Sequence, residues 1–273
     1  MKGDVQFHIP DAMSDAEAAT LGVGLTTVVL AHFNSPLFTH RNPTCLANAV
    51  SFKCQGLYQS LRLPAPGASS SPTPTPILIH GGSTATGAFC IQFAKLSNCL
   101  VITTCSPKNF PYVASLGADA YFDYHEPDVV DSIRAYTGDR LQLAWDCIST
   151  SASARLCAAT LADDGPVVYR GLAELGDSVL KSVNSGVDNG YTSSYTVFGE
   201  GFQKAVWTEG RLEDFEFAKK FFETCERLLQ QGIVKPIRPT INLGGKGLVG
   251  AMKGLEHLKA GRVSATKLVY TML

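Results

Sequence analysis

Long apolar runs are missing from this sequence. The stretch "LGVGLTTVVLA" (residues 21–31) is well short of the roughly 20 residues that cross a bilayer, so no membrane span is expected. An excess of either charge is missing too: 23 Lys and Arg stand against 24 Asp and Glu, with no basic stripe. That balance argues against nucleic acid or an anionic membrane surface as a partner. Polar residues follow Met1 where a secretory signal would be apolar, and a cytoplasmic location is the expectation. Eight cysteines are present, at Cys45, Cys54, Cys90, Cys99, Cys105, Cys147, Cys157 and Cys225. None forms a CxxC pair or a Cys/His cluster with zinc-finger spacing, so no metal site is expected. Several lie inside apolar runs, as buried reduced thiols do, with disulfides the less favoured reading.

What the sequence does have is alternation. Its 273 residues, 45% apolar and 17% charged, suit one large globular domain, or a domain plus part of another. From about residue 76 to 170 short apolar strands alternate with helices. "ILIHGG", "CLVITTCS", "DAYFDY", "LQLAWDCIS" and "GPVVYRGL" are the five strands. "GAFCIQFAKLSN", "FPYVASLGA", "DVVDSIRAYTG" and "ASARLCAATLA" are the helices between them. Strands that are apolar on both faces are those covered by helices on both sides. Right-handed crossovers then predict an α/β fold with a doubly wound parallel sheet.

The flanks read differently. "PAPGASSSPTPTP" (64–76) is a Pro/Ser/Thr linker, and "LEDFEFAKKFFETCERLLQQG" (212–232) is an amphipathic helix with a glycine stop. A further helix, "LVGAMKGLEHLKAG", precedes a closing strand, "TKLVYTML", which has no partner in the five-strand set. The expected division is therefore an N-terminal part with its linker (1–75), the alternating α/β domain (76–235) and a C-terminal segment (236–273), which in a two-domain protein would return to the other domain.

The turn "ILIHGGSTATG" (77–87) delivers a strand into a helix start. Free backbone N–H groups and the positive end of the helix dipole favour a pyrophosphate there. Gly81 and Gly82 permit the turn, Gly87 permits close helix–sheet packing, and Ser83, Thr84 and Thr86 add hydroxyls. Such a turn alone fits a ligand-free βα loop as well. The second strand decides more. An NAD site normally carries an Asp or Glu there for the ribose 2′-hydroxyl. This chain has "TTCSPKNF", with Ser106, Lys108 and Asn109 in place of an acid. That chemistry suits a 2′-phosphate, so NADP is expected over NAD; the alternative is that Lys108 is a solvated loop charge.

Together "ILIHGGSTATG", "TTCSPKNF", "SLGADAYFDY" and "LAWDCIS" resemble the nucleotide-binding half of zinc-independent medium-chain dehydrogenase/reductases, with a Rossmann-type fold. Within that superfamily the chain is most similar to the trans-acting enoyl reductases of fungal polyketide biosynthesis. "YTVFGEG", "GRVSATKLVYTM" and "IPDAMSDAEAATLGVGLTT" fit the same family. The resemblance implies that Ser83, Thr84, Ala85 and Thr86 bind the pyrophosphate. It implies that Ser106, Pro107, Lys108 and Asn109 hold the 2′-phosphate, with Tyr124 against the adenosine ribose phosphate. Gly171 and Leu172 would lie near the nicotinamide, and Val263 and Ser264 would touch the cofactor from the C-terminal segment. Gly24, Leu25, Thr26 and Thr27, with Ser194, Tyr195, Thr196, Val197 and Phe198, match substrate-lining positions. The implied activity is NADPH-dependent reduction of an α,β-unsaturated polyketide or acyl thioester, carried on a polyketide synthase acyl carrier protein.

Three departures qualify the resemblance. The family's N-terminal GroES-like domain ends essentially where this chain begins, so no catalytic acid is nominated; Tyr195 and Tyr169 are candidates only as phenols. Residues 29–55 lack periodicity and interrupt what otherwise reads as one helix, as a retained intron or a genuine loop would. His32, His40, Cys45 and Cys54 within that stretch are too irregularly spaced for a metal. "VVYRGL" leaves Arg170 unexplained. The alternatives are a non-catalytic NADP-binding or interaction protein, and a reductase of small quinones or alkenals.

Overall fold

The computed structural model describes residues 5–29, 57–58, 61, 63–68, 72–203 and 207–272. The irregular stretch from residue 30 to 55, with its intron reading, lies outside the described residues.

Two short helices come first, α1 (Asp15–Ala18) and α2 (Gly22–Val29). The alternating region then runs β1 (Thr75–His80), α3 (Ala85–Leu96), β2 (Cys99–Thr104), α4 (Phe110–Ser115) and β3 (Ala120–Phe122). It continues through α5 (Val129–Thr137), β4 (Leu143–Asp146), α6 (Ser151–Thr160), β5 (Val167–Gly171), α7 (Asp177–Lys181) and β6 (Val187–Tyr191). The sheet is parallel throughout, in the order β3-β2-β1-β4-β5-β6. This is the doubly wound, Rossmann-type arrangement, and its strand order reverses between β1 and β4.

Strand alternation sends side chains to two separate cores. Ile77, Ile79 and Val101 face α2, α3, α4 and the long helix α8 (Leu212–Gln230). Leu78, Ile102 and Ala144 face α5, α6 and α7. Helix α8 buries Ala218, Phe221, Phe222, Cys225, Leu228 and Leu229, the three-and-four spacing of one apolar stripe. The described cysteines are all buried free thiols.

Two elements depart from the sequence reading. The sheet has six strands where five were expected, because "VDNGY" forms β6 at the edge. Its presence also explains Arg170, whose guanidinium donates to the Asp188 carbonyl and carboxylate, both at 2.7 Å. The Arg170 side chain crosses β6 at Gly190, where a Cβ would lie 3.1 Å from it. The second is the partner of the closing strand, which lies outside that sheet as expected but pairs with a strand the sequence reading did not include. β9 (Pro239–Ile241) pairs in parallel with β10 (Lys267–Val269), on either side of α9 (Gly247–Lys259). A small antiparallel pair, β7 (Phe202–Gln203) with β8 (Trp207–Thr208), precedes α8.

Candidate functional site

The carboxyl edge of the sheet gathers most of the expected residues. After β1, the amides of Gly81 and Gly82 both donate to the Thr104 carbonyl at 3.1 Å, tying the turn to β2. Gly81 has φ +80°, a left-handed conformation that glycine adopts freely. A Cβ on Gly82 would collide with Thr103, whose hydroxyl donates to the Ile79 carbonyl. The Thr84 hydroxyl accepts from the Gly87 amide at 3.0 Å and so caps α3. In that first turn the amides of Ala85 and Thr86 have no intrahelical acceptor, which leaves them for an anion.

Beyond β2, Ser106 leads into a 3₁₀ turn, Pro107–Asn109. Lys108 is exposed on it, while Asn109 is buried. The Asn109 side-chain amide donates to Ser83 Oγ at 3.2 Å and to Ser264 Oγ at 2.8 Å. One buried side chain therefore joins three segments distant in sequence. Ser106 Oγ lies 3.5 Å from Tyr124 Oη, which follows β3. Lys108, Asn109, Val263 and Ser264 line a cleft of about 380 Å³ together with Arg262, a second cation that the sequence reading did not single out. Among the described residues Arg262 has no carboxylate partner, a property visible only once the fold brings it to the cleft. A larger cleft, about 530 Å³, lies at the opposite edge of the sheet around Arg134, Asp139 and Asp163, where Arg134 is already paired with both acids.

Across the switch point, β4 ends in Asp146, fully buried. One carboxylate oxygen accepts the amides of Ile148 and Ser149 at 2.8 and 2.9 Å. The other accepts the hydroxyls of Ser153 and Tyr169 at 2.6 and 2.9 Å. Tyr169 is thereby corrected as a proton-donor candidate. Its phenol is sealed in the core, and burial together with the Asp146 charge pushes its pKa well up. Gly171 ends β5 and Leu172 follows it, directly beside this turn, with the Leu172 amide donating to Ser149 Oγ at 2.6 Å. His80, at the end of β1, is buried and shares a 2.7 Å hydrogen bond with Thr104. Burial lowers its pKa, and the nearby Asp146 carboxylate opposes that shift. Cys105, just after β2, has its thiol pushed up to about 11 by burial, which favours the protonated thiol over the nucleophilic thiolate at neutral pH.

The two substrate-lining stretches also meet. Helix α2 packs on α3, with Gly24 against Phe89 and the Ala85 carbonyl. The 3₁₀ helix Ser194–Phe198 touches both α2 and α8. Leu25, Thr27, Thr196 and Val197 point into the core, and Thr26 and Ser194 are half-buried. Tyr195 and Phe198 are exposed, and Tyr195 packs its ring against Phe202.

Comparison with known proteins places this geometry. The model of the family described as zinc-binding dehydrogenase matches residues 85–209. Among the described residues no group of three His, Cys, Asp or Glu side chains could hold a metal ion. The chain is 43% identical over 259 residues to the dual trans-enoyl reductase/FAD-dependent monooxygenase tazHJ of Aspergillus terreus, covering 94% of itself but 32% of that protein. It is 36% identical over 285 residues to the trans-enoyl reductase resD of Aspergillus sclerotiorum, covering 98% of itself and 71% of the relative. The solved CurK enoyl reductase superposes with a TM-score of 0.64 at 16% identity, over 98% of this chain and 65% of that one, which shows a shared fold. By its match to relatives such as resD, the chain belongs to the fungal trans-enoyl reductases of the medium-chain dehydrogenase/reductase superfamily.

Proposed function

We propose that the protein binds NADPH across the carboxyl edge of its sheet and reduces the carbon–carbon double bond of an α,β-unsaturated polyketide or acyl thioester. The observation that carries the cofactor reading is the end of β2. The turn beyond it carries Ser106, Lys108 and Asn109, with Tyr124 alongside and Arg262 in the same cleft. The acid of the next strand's loop, Asp123, accepts hydrogen bonds from the His125 amide and ring, which orient it locally. Cations and hydroxyls without an unpaired carboxylate favour a 2′-phosphate over a 2′-hydroxyl.

The remaining roles follow from position. The α3 N-terminus and its Ser83–Thr86 turn cradle the pyrophosphate, because glycines let the backbone approach and the helix end supplies amides. Gly171 and Leu172 face the nicotinamide, and Val263 and Ser264 close the cleft from the C-terminal side. When bound, the dinucleotide supplies a hydride. The substrate lies between α2 and the Ser194–Phe198 helix, where the exposed Tyr195 and Phe198 offer apolar surface. In this reading the acyl group is that of a polyketide on its carrier protein; the relatives' names support the enoyl reduction alone.

The test is direct. Titrating the protein with NADPH and NADH should show NADPH binding at least about tenfold tighter, the effect of one charge-assisted contact. A crotonyl thioester should then oxidise bound NADPH. Binding of neither dinucleotide would overturn the proposal; tight NADPH binding without reduction of any enoyl thioester would leave a nucleotide-binding protein.

A further inference from the structure

The geometry points to Ser149 as a positioning residue for the nicotinamide end of the cleft, an inference that rests on the NADPH reading above. Strands β4 and β5 run in register to Asp146 and Gly171, and beyond that pair the chains diverge into two loops. The tie between the loops is the Ser149 side chain. Its hydroxyl accepts from the Leu172 amide at 2.6 Å and donates to the Asp146 carbonyl at 3.0 Å. On the far side, the Gly171 carbonyl accepts from the Thr192 amide at 2.8 Å. The Gly171 carbonyl and the Leu172 amide belong to a single peptide plane. That plane is thus clamped at both of its polar atoms, by a hydroxyl from the β4 loop and an amide following β6.

Ser149 holds this position at a conformational cost. Its φ is +57°, in the left-handed region that favours glycine, and it is not glycine. Asp146 holds the strained turn by accepting the Ser149 amide. The hydroxyl also packs directly under Gly171, where a Cβ would lie 2.8 Å from it. A glycine at 149 would relieve the backbone but release the Leu172 amide. The serine therefore trades local strain for a fixed orientation of the peptide against which a nicotinamide would rest.

The experiment compares wild type with Ser149→Gly, which relieves the strain, and Ser149→Ala, which keeps it; both remove the hydroxyl. The readouts are Tm, Kd for NADPH, the emission of bound NADPH, and turnover with an enoyl thioester. If Ser149 positions the peptide, NADPH Kd stays within about threefold, because the turn and the 2′-phosphate contacts are untouched. Bound emission shifts in both variants, and kcat falls on the order of tenfold or more with little change in KM for NADPH. Wild-type emission and turnover in both variants overturn the inference, as does loss of Tm and of NADPH binding together, which marks a purely structural serine. Failure of the wild type to bind either dinucleotide overturns the functional reading and this inference with it.

Discussion

Lys108 and Asn109 are adjacent in sequence and were both expected to hold a 2′-phosphate, but the fold gives them different work. Lys108 is exposed at the cleft mouth. Asn109 is buried, with both amide hydrogens directed at the hydroxyls of Ser83 and Ser264. Its contribution is to hold the turn after β1, the turn after β2 and the C-terminal segment at one spacing. No sequence pattern reveals that, because the partners lie 26 and 155 residues away. The two side chains should therefore separate on mutation. Lys108→Glu places a like charge beside the phosphate and should weaken NADPH by roughly 10- to 100-fold. NADH, lacking that phosphate, should be little affected. Asn109→Leu should weaken both dinucleotides equally and lower stability by about 1–2 kcal/mol, the loss of two part-buried hydrogen bonds. Equal losses of the two dinucleotides in the Lys108 variant, measured by the same titration, would remove the 2′-phosphate role.

At the scale of elements, the central strands were the most legible because they are buried on both faces, while the edge strand β3, with Tyr121 exposed, was legible from its place in the alternation. β1, β2 and β4 are runs of Ile, Leu, Val and Ala because helices cover them from either side. β6 was not legible, since "VDNGY" reads locally as a turn, with Asn-Gly at its centre. It forms a strand because the β5 edge is available and because Gly190 leaves room for Arg170 to cross. β9 was missed for a related reason: three residues that start with proline carry too little pattern to register. The start of α3 was legible, and its glycines have a measurable basis. A Cβ on Gly87 would lie 2.7 Å from Gly82 Cα and closer still to the Gly81 carbonyl oxygen, both backbone atoms. Alanine is the better helix former by about 1 kcal/mol, but backbone cannot rotate aside, and such overpacking costs about 1–3 kcal/mol. Gly87→Ala should therefore be net destabilising in a urea titration and should lose NADPH affinity. A more stable variant would show that the turn yields, and that close approach is not what Gly87 provides.

For the whole molecule, the two cores meet their site at a buried polar seam made by His80, Thr104, Asp146, Ser149 and Tyr169. The seam couples stability to pH through His80. Burial is the larger influence and lowers its pKa; the Asp146 carboxylate pulls the other way without reversing the sign. The remaining groups against the ring are the Thr104 hydroxyl and the edge-on Tyr124 ring, neither of which carries charge. In the unfolded chain a histidine takes up a proton as pH falls through about 6.5. The folded protein resists that proton until a lower pH, so across this window the unfolded state binds more protons. Stability therefore rises with pH there, and is lost as pH falls from the unfolded value toward the folded one. His80→Gln keeps a side chain that can bond Thr104 and cannot titrate. Thermal unfolding followed from about pH 8 to about pH 5 should show wild-type Tm dropping more steeply than that of His80→Gln just below about pH 6.5, with the curves parallel above it. Parallel curves across the entire range would mean that His80 is protonated as readily in the folded protein as in the unfolded chain, and that the seam does not exclude charge.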